Sequence, residues 1–354
     1  MNSLLHSAPP ALHFPPLAHD SSAAVGFKPL KTHLRVLANI TSKRKSKAQT
    51  DDYHSTLRAL NSKGRFPRKS LGQHYMVDSS VNEELVAAGN VKEGDIVLEI
   101  GPGTGSLTNV LVTAGATVLA IEKDPYMAAL VRERFAEFDC VKVLEEDFTK
   151  CYVGSHMSSI LSSKSLMDGI SSSAKVVANI PFNISTDVVK QLLPMGDIFS
   201  DVILLLQDEA ALRLVDSTLK SSEYRPINIF VNFYSDPEYR IKVSRTNFFP
   251  RPKKDASYPL VRPMNKGVVD AAIVAFKLKK TVDYPRVSSI KSFFSMVNCA
   301  FSEKRKMLRK SLQGICSSPD IEAALCSVNL PPTSRPEELT LEDFVKLHNL
   351  IGNA

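Results

Sequence analysis

Residues Val97–Thr108 read V-L-E-I-G-P-G-T-G-S-L-T, an apolar run followed by three glycines. This order predicts a buried strand that turns sharply into a helix beginning near Ser106. Glycines let a ligand approach the backbone closely, and the first turn of a helix offers unpaired N–H groups. The stretch therefore indicates a nucleotide-type binding site, with a strand–helix turn that binds nothing as the alternative.

An acidic residue follows the next predicted strand. The apolar run Thr117–Ile121 is followed by Glu122, which comes about 20 residues after Gly101. A carboxylate at this place can accept hydrogen bonds from both hydroxyls of a ribose. These features favour an adenosine-containing ligand, but they do not distinguish a dinucleotide from S-adenosylmethionine.

Strands and helices alternate further along the chain. The pattern predicts a helix over Pro125–Phe138, a third strand over Val141–Leu144, a helix with an exposed loop over Gly154–Ala174, and a fourth strand over Lys175–Ala178. This alternation predicts an α/β fold, a doubly wound Rossmann-like sheet with helices on both faces. Asp147 follows the third strand, where such sheets bind ligands, and can accept the amino group of adenine; a helix-capping role is the alternative.

The fourth strand runs into Asn179-Ile180-Pro181-Phe182, the most specific motif of the chain. The N6 lone pair of adenine is delocalised into the ring, so the free amine is a poor nucleophile. If the Asn179 side-chain oxygen and the Ile180 carbonyl accept its hydrogens, the lone pair is drawn towards tetrahedral geometry. Pro181 stiffens the turn, and Phe182 can stack on the purine. The alternative is a proline-terminated strand with a core phenylalanine.

The first fifty residues differ in composition from the rest. They carry seven of the Lys and Arg residues and one acid, so they account for six of the seven units of formal net charge. No base precedes Lys28 and four prolines come early, which favours a chloroplast transit peptide over a mitochondrial presequence, with a disordered tail as the alternative. We assign residues 1–55 to this peptide and its linker. The remaining chain is nearly neutral, so nucleic-acid contacts must come from local basic patches.

The overall composition excludes several classes of protein. With 354 residues, 44% of them hydrophobic, the chain can form one large or two modest domains. No apolar run approaches the roughly 18 residues of a membrane span. The five cysteines form no C-x-x-C pair, which argues against disulfides and a metal site and favours a reducing compartment.

Two basic segments are candidates for RNA contact. The segment 65–76 combines basic residues with two aromatic residues and precedes a predicted helix over Val81–Ala88. A solvated segment leading into that helix is equally consistent with the composition. After a last strand at Ala272–Leu278, the pattern becomes helical from Val287. Its predicted apolar stripe consists of Phe294, Val297 and Phe301.

A further basic helix is predicted after this stripe, with Ser302 as its cap and Leu308 and Leu312 facing inwards. Its Lys and Arg side chains suggest contacts to RNA phosphates, and a solvated helix face is the alternative. The residues that we expect to bind RNA are Lys304, Arg305, Lys306 and Arg309.

Together the motifs resemble the ribosomal RNA adenine dimethyltransferase family, specifically its plastid-type plant members. The resemblance covers about residues 69–350 and rests on these motifs: Q-H-Y-M, E-I-G-P-G-T-G, I-E-K-D, E-D-F, N-I-P-F-N-I-S-T, L-L-Q-D-E, N-F-F-P-R-P-K and K-R-K-M-L-R-K-S-L. It implies transfer of four methyl groups from S-adenosylmethionine, two onto each of two adjacent adenosines near the 3' end of small-subunit rRNA.

The resemblance also implies roles for individual residues. His74, Met76 and Gly101 would contact the donor, Glu122 its ribose and Asp147 its adenine, and Asn179 would bridge donor and target. Asn179, Pro181 and Phe182 would form the catalytic motif, and Phe248 would contact RNA. His74 stands where bacterial relatives usually have Asn, which leaves a hydrogen bond possible. Phe182 stands where many have Tyr, which keeps the stacking and loses a hydroxyl.

One segment departs from the family pattern. Lys254–Val268 intervenes between the F-F-P-R-P-K loop and the last strand. Two interpretations stay open, a lineage-specific loop or a gene-model artefact such as retained intron sequence.

We therefore predict a methyltransferase domain over 65–280 and a helical domain over 285–354, in a monomer of the chloroplast stroma that acts on rRNA within a pre-ribosomal particle without metal or membrane. Two alternatives belong to other classes. An NAD-type oxidoreductase has no use for the N-I-P-F motif. A non-catalytic ribosome-assembly or transcription factor on the same fold would be expected to have lost the donor or amine contacts, which this sequence retains.

Overall fold

A seven-stranded sheet forms the centre of the structure, a computed structural model that describes residues 74–76, 78–168, 173–221, 223–249, 270–303 and 306–351. Its strands are β2 (Ile96–Ile100), β3 (Thr117–Glu122), β4 (Val141–Glu145), β5 (Ala174–Asn179), β6 (Phe199–Gln207), β7 (Ser235–Val243) and β9 (Ala271–Leu278). A separate antiparallel pair joins β1 (Tyr75–Met76) to β8 (Phe248–Phe249).

The strand order is β4-β3-β2-β5-β6-β9-β7. The first five strands are parallel, and β9 is antiparallel to both β6 and β7. The chain order reverses between β2 and β5, and doubly wound sheets bind ligands at the carboxyl ends of the two strands that flank such a reversal. The Rossmann-like fold predicted from the sequence is confirmed, and the topology places the glycine turn beside the N-I-P-F motif.

Helices cover both faces of the sheet. They are α1 (Ser79–Ala88), α2 (Ser106–Thr113), α3 (Pro125–Arg134), α4 (Val153–Asp168), α5 (Ser185–Leu192), α6 (Asp208–Val215), α7 (Pro226–Tyr234), α8 (Ile290–Ala300), α9 (Leu308–Ser311), α10 (Ser318–Ser327) and α11 (Leu341–Ile351). Among the residues that the structure describes, no helix is both long and apolar enough to cross a lipid bilayer.

Successive side chains of each strand point to opposite faces of the sheet, so the core has two layers. In β2, Ile96, Leu98 and Ile100 join one layer, whereas Val97 joins the other. The first layer also contains Phe293 of α8 and side chains from α10 and α11, so the C-terminal helices pack on that face. The second layer contains side chains from α1, α2 and α3. Because both faces of the central strands are buried, those strands are almost continuously apolar.

Several predicted boundaries are confirmed and a few are wrong. The helix after the glycine turn begins at Ser106 as predicted, and β3, β4, β5 and β9 agree with the sequence to within one residue at each end. The helix predicted to reach Phe138 ends at Arg134, and the next residue, Phe135, is its C-cap. The ring of Phe135 is buried against α2 and its neighbours, and this packing ends the helix earlier than the sequence pattern suggests.

The C-terminal basic helix is shorter than predicted. Ser302 is not its cap, because the Ser302 hydroxyl donates a hydrogen bond back to the Cys299 carbonyl at 2.7 Å and so closes α8 instead. The short helix α9 begins at Leu308 after the N-cap residue Met307. The prediction that Leu308 and Leu312 face inwards is confirmed, since both are fully buried.

The apolar stripe of the preceding helix is partly misassigned. Helix α8 starts at Ile290 instead of near Val287, and its buried residues are Phe293, Met296, Val297 and Ala300. Phe294 is only partly buried, and Phe301 is the C-cap of the helix. The predicted transit peptide, most of the basic segment 65–76, and the segment Lys254–Val268 lie outside the described residues.

Candidate active site

The glycine turn connects β2 to α2 and forms the floor of the site. Gly101, Gly103 and Gly105 all have positive φ, a conformation that other residues adopt only with strain. A Cβ atom at Gly105 would also lie 2.8 Å from the Phe135 ring, so both the backbone and the packing require glycine there. The turn therefore exposes backbone, without side chains, beside the N-terminus of α2.

Glu122 ends β3 beside this turn, and the backbone fixes the orientation of its carboxylate. One carboxylate oxygen accepts from the Asp124 N–H at 2.8 Å and the other from the Gly103 N–H at 3.2 Å. The side chain is buried, and the loss of solvent raises the pKa of the carboxyl group. Each oxygen keeps acceptor capacity for a further donor, as the predicted contact to a ribose requires.

Asp147 follows β4, and it caps a short 3-10 helix in addition to lining the site. One of its oxygens accepts from the Thr149 N–H at 3.1 Å and the Thr149 hydroxyl at 2.8 Å. The other pairs with the Lys123 ammonium at 2.9 Å, and this hydrogen-bonded partner is the main cause that lowers the pKa of Asp147. The capping role was the alternative that the sequence left open, and Asp147 combines it with a place in the lining of the pocket.

The N-I-P-F motif continues from the carboxyl end of β5. Asn179 is partly buried, and its side-chain amide makes no hydrogen bond with any residue that the structure describes. Ile180 is almost fully buried, and Pro181 has an extended conformation (φ −57°, ψ 132°) that leads into a 3-10 turn. The Ser185 hydroxyl donates to the Phe182 carbonyl at 2.9 Å and fixes this turn against the start of α5.

Two strands that are far apart in the sequence meet over the motif. Met76 of β1 pairs with Phe248 of β8. The ring of Phe182 lies between His74, stacked on it at a centroid distance of 6.1 Å and an angle of 26°, and Phe248, which meets it edge-on at 6.4 Å and 68°. Phe248 is only 2% exposed, so it faces the site and not the protein surface.

One pocket contains all the residues predicted to bind the donor or to catalyse the reaction. Its lining includes His74, Met76, Gly101, Glu122, Asp147, Asn179, Pro181, Phe182 and Phe248. The pocket spans the carboxyl ends of β2, β3, β4 and β5. A ligand on the glycine floor and a base at the N-I-P-F motif would therefore share one cavity.

The family model for ribosomal RNA adenine dimethylase matches residues 65–352. The chain belongs to the ribosomal RNA adenine dimethylase family. Six of the eight motifs that carry the resemblance contribute residues to this pocket; L-L-Q-D-E and K-R-K-M-L-R-K-S-L do not.

Curated relatives and solved structures agree with the family assignment. The chain is 67% identical to the chloroplastic ribosomal RNA small subunit methyltransferase of Arabidopsis thaliana, over 86% of this chain and 85% of the relative. It is 34% identical to ribosomal RNA small subunit methyltransferase A of Protochlamydia amoebophila, over 82% and 93%. A dimethyladenosine transferase structure from Plasmodium falciparum has the same fold, with a TM-score of 0.57, 22% identity and coverage of 77% and 95%.

Two further polar residues line the dimethylase pocket and were missed by the sequence analysis. Glu99 lies in β2 and is 1% exposed; its Oε2 accepts from the Thr108 hydroxyl at 2.6 Å, whereas its Oε1 has no hydrogen-bond partner among the described residues. Burial is the main cause that raises the pKa of this carboxyl group to about 8. Asn82 of α1 also has a buried Oδ1 without a described partner. The sequence does contain an indication of Glu99, because an acidic residue interrupts the apolar run V-L-E-I.

These acceptors fit S-adenosylmethionine. The oxygens of Glu99 and Asn82 can accept from N–H groups of a ligand, and Glu122 can accept from ribose hydroxyls. The glycine floor leaves room for close approach of the ligand to the backbone. Across the described ranges, no group of three or more His, Cys, Asp or Glu residues is arranged to hold a metal ion.

Two of the predicted RNA-binding basic residues, Lys306 and Arg309, are not part of the pocket lining. Lys306 forms an ion pair with Glu303 and is exposed. Arg309 is only partly exposed and forms an ion pair with Glu322 at 2.8 Å, which links α9 to α10 in the dimethylase. Lys304 and Arg305 lie outside the described residues.

Proposed function

We propose that this protein dimethylates the N6 amines of two adjacent adenosines near the 3' end of small-subunit rRNA in the chloroplast, with S-adenosylmethionine as the methyl donor. The observation that carries the proposal is the convergence of the N-I-P-F motif and the glycine turn on one pocket. The family assignment supports the reaction, and the relative in Arabidopsis thaliana supports the compartment.

The donor pocket would hold S-adenosylmethionine through its acids and its glycine floor. Glu122 would accept from the ribose hydroxyls, Asp147 from the adenine amino group, and Gly101 would allow the methionine part to approach the backbone. Met76 of β1 and His74, which directly precedes β1, would line the same space. When bound, S-adenosylmethionine supplies a methyl group that is already activated by a positively charged sulfur.

Alignment of the target amine is the main task left to the protein, since no strong base is needed to attack an activated methyl group. The Asn179 side-chain oxygen and the Ile180 carbonyl would accept the two amine hydrogens and increase the nucleophilicity of the nitrogen. The Asn179 amide has no described competing partner, which leaves it available for this contact. Phe182 would stack on the target adenine.

The second methyl transfer differs from the first. The first transfer replaces one amine hydrogen, so a single hydrogen remains for the two acceptors at Asn179 and Ile180. Alignment then depends more on the aromatic wall at Phe182. We expect loss of that wall to cause accumulation of monomethyladenosine.

The partner would be small-subunit rRNA within a pre-ribosomal particle, bound by a monomer. The helical part, from about residue 285, would engage the particle through Lys304, Arg305, Lys306 and Arg309. A non-catalytic assembly factor on the same fold would not need an open amide at Asn179 beside a donor pocket, so the enzymatic function is favoured.

The test compares Asn179→Ala, Phe182→Ala and the matched control Asn109→Ala, which lies in α2 outside the pocket lining. Methylation of small-subunit particles is followed under single-turnover conditions by mass spectrometry of digested rRNA. We expect Asn179→Ala to slow the chemical step by about a hundredfold or more, and the control to leave it unchanged. Donor affinity, measured by isothermal titration calorimetry, separates binding from chemistry. Near-normal dimethyladenosine from Asn179→Ala would contradict the mechanism.

A further inference from the structure

Strand β1 has two faces that contact different halves of the pocket. On one face, the Tyr75 hydroxyl donates to the Met127 sulfur at 3.7 Å, and its ring lies 3.5 Å from where a Cβ atom of Gly103 would be. Successive residues of a strand point to opposite sides. His74 and Met76 accordingly meet the other half of the pocket, where His74 stacks on Phe182. Tyr75 therefore contacts the glycine turn, and His74 contacts the N-I-P-F motif, within one pocket.

The orientation of Phe182 is set largely by residues outside its own element. Its ring is partly exposed, with His74 stacked on it and Phe248 edge-on to it. Phe248 is fixed because it is 2% exposed and is paired with Met76. Among the residues that the structure describes, His74 is therefore the ring that stacks on Phe182.

We propose that His74 is a positioning residue for the target adenine, and that by stacking on Phe182 it holds this ring in the orientation required for the second methyl transfer. This inference rests on the proposed function and deepens it. It also differs from the donor-contact role that the family resemblance implies for His74, because here the imidazole acts through an aromatic neighbour.

The effect of His74 should concentrate on the second transfer. In the first transfer two amine hydrogens hold the base against Asn179 and Ile180, so a modest tilt of Phe182 is tolerated. In the second transfer one hydrogen remains, and the stacking surface must supply the alignment. An aromatic pair of this geometry contributes enough to change a rate about three- to tenfold.

The experiment compares His74→Ala, His74→Asn and His74→Phe on small-subunit particles in single-turnover reactions, with both methylation steps resolved by mass spectrometry. Tyr152→Ala is the control, since it removes a ring that is 85% exposed and outside the pocket lining. We expect the Ala and Asn variants to slow the second step about three- to tenfold relative to the first. His74→Phe restores the ratio because it keeps a stacking ring without the imidazole nitrogens.

A double-mutant cycle tests whether His74 acts through Phe182. If it does, adding His74→Ala to Phe182→Ala should produce no further loss in the second step. Donor affinity of each variant is measured by calorimetry, because His74 also lines the donor pocket. With saturating donor, a change in donor affinity alone should leave the ratio of the two steps unchanged.

Two results would overturn the inference. One is an equal loss in both steps together with weaker donor binding that His74→Phe does not restore, which would make His74 a donor contact. The other is full additivity with Phe182→Ala. Failure of the proposed function has a separate signature, since the wild-type protein would then form no dimethyladenosine on the particle, and the inference would fall with it.

Discussion

Glu99→Gln should remove a large part of the pH dependence of folding stability. In the folded protein the Glu99 carboxyl group is 1% exposed, and burial raises its pKa from 4.5 to about 8. In the unfolded chain the group has its ordinary pKa. Between these two values the folded state binds a proton that the unfolded state has released, so stability falls as the pH rises.

The structure allows the size of this effect to be worked out. Below about pH 4.5 Glu99 is protonated in both states, and its burial in neutral form carries no ionisation penalty. Between pH 5 and pH 8 the two states differ by nearly one proton, which corresponds to about 1.4 kcal/mol for each pH unit. The loss of stability over this range is therefore about 3 to 4 kcal/mol, a considerable part of the 5 to 15 kcal/mol that holds a typical domain together.

Glutamine is a suitable replacement because its side-chain oxygen can still accept from the Thr108 hydroxyl and it does not titrate. Urea unfolding of the donor-free protein would be measured at intervals from pH 5 to pH 9. We expect the unfolding free energy of Glu99→Gln, relative to that of the wild type, to increase by about 3 to 4 kcal/mol as the pH rises across this range. Glu84→Gln, at an exposed position of α1, serves as the control. Parallel curves for wild type and Glu99→Gln would refute the reasoning.

Three other predictions follow from the site and the basic region. Glu122→Ala should weaken binding of S-adenosylmethionine by about 1 to 3 kcal/mol, and unchanged affinity in calorimetry would remove Glu122 from the donor site. Replacing Lys304, Arg305, Lys306 and Arg309 together by Ala should reduce binding to ribosomal particles and lower the salt slope by about one for each lost phosphate contact; an unaltered slope would make this a solvated face. Arg309→Ala alone should lower the unfolding free energy by about 1 kcal/mol because it breaks the ion pair with α10, whereas exposed Lys306→Ala should not; equal chemical-denaturation midpoints would contradict this difference.

The central fold and most of the pocket could be predicted because their signals are local. Apolar runs, the glycine turn and the acids at strand ends fix β2 to β5 and place Glu122 and Asp147 at one edge of the sheet. The pairing of Met76 with Phe248 could not be predicted, since two-residue strands carry no periodicity and the partners are far apart in the chain. The basic helix was misplaced because a serine before a helical pattern resembles an N-cap, whereas the Ser302 hydroxyl bonds backwards to α8.

Glu99 shows why local signals did not reveal the whole site. A charged residue in an apolar strand is visible in the sequence, but its burial and its unpaired oxygen depend on packing from α1 and α2. Glu99 is one of four acids that line the pocket, with Glu122, Glu146 and Asp147. Interactions between charges are stronger in such a buried setting than in water. Glu99 adds little negative charge at neutral pH, because burial raises its pKa to about 8 and keeps the carboxyl group mostly protonated. In the pocket Glu99 would therefore act as a hydrogen-bonding group through its unpaired oxygen, and not as a charge that attracts a cationic donor.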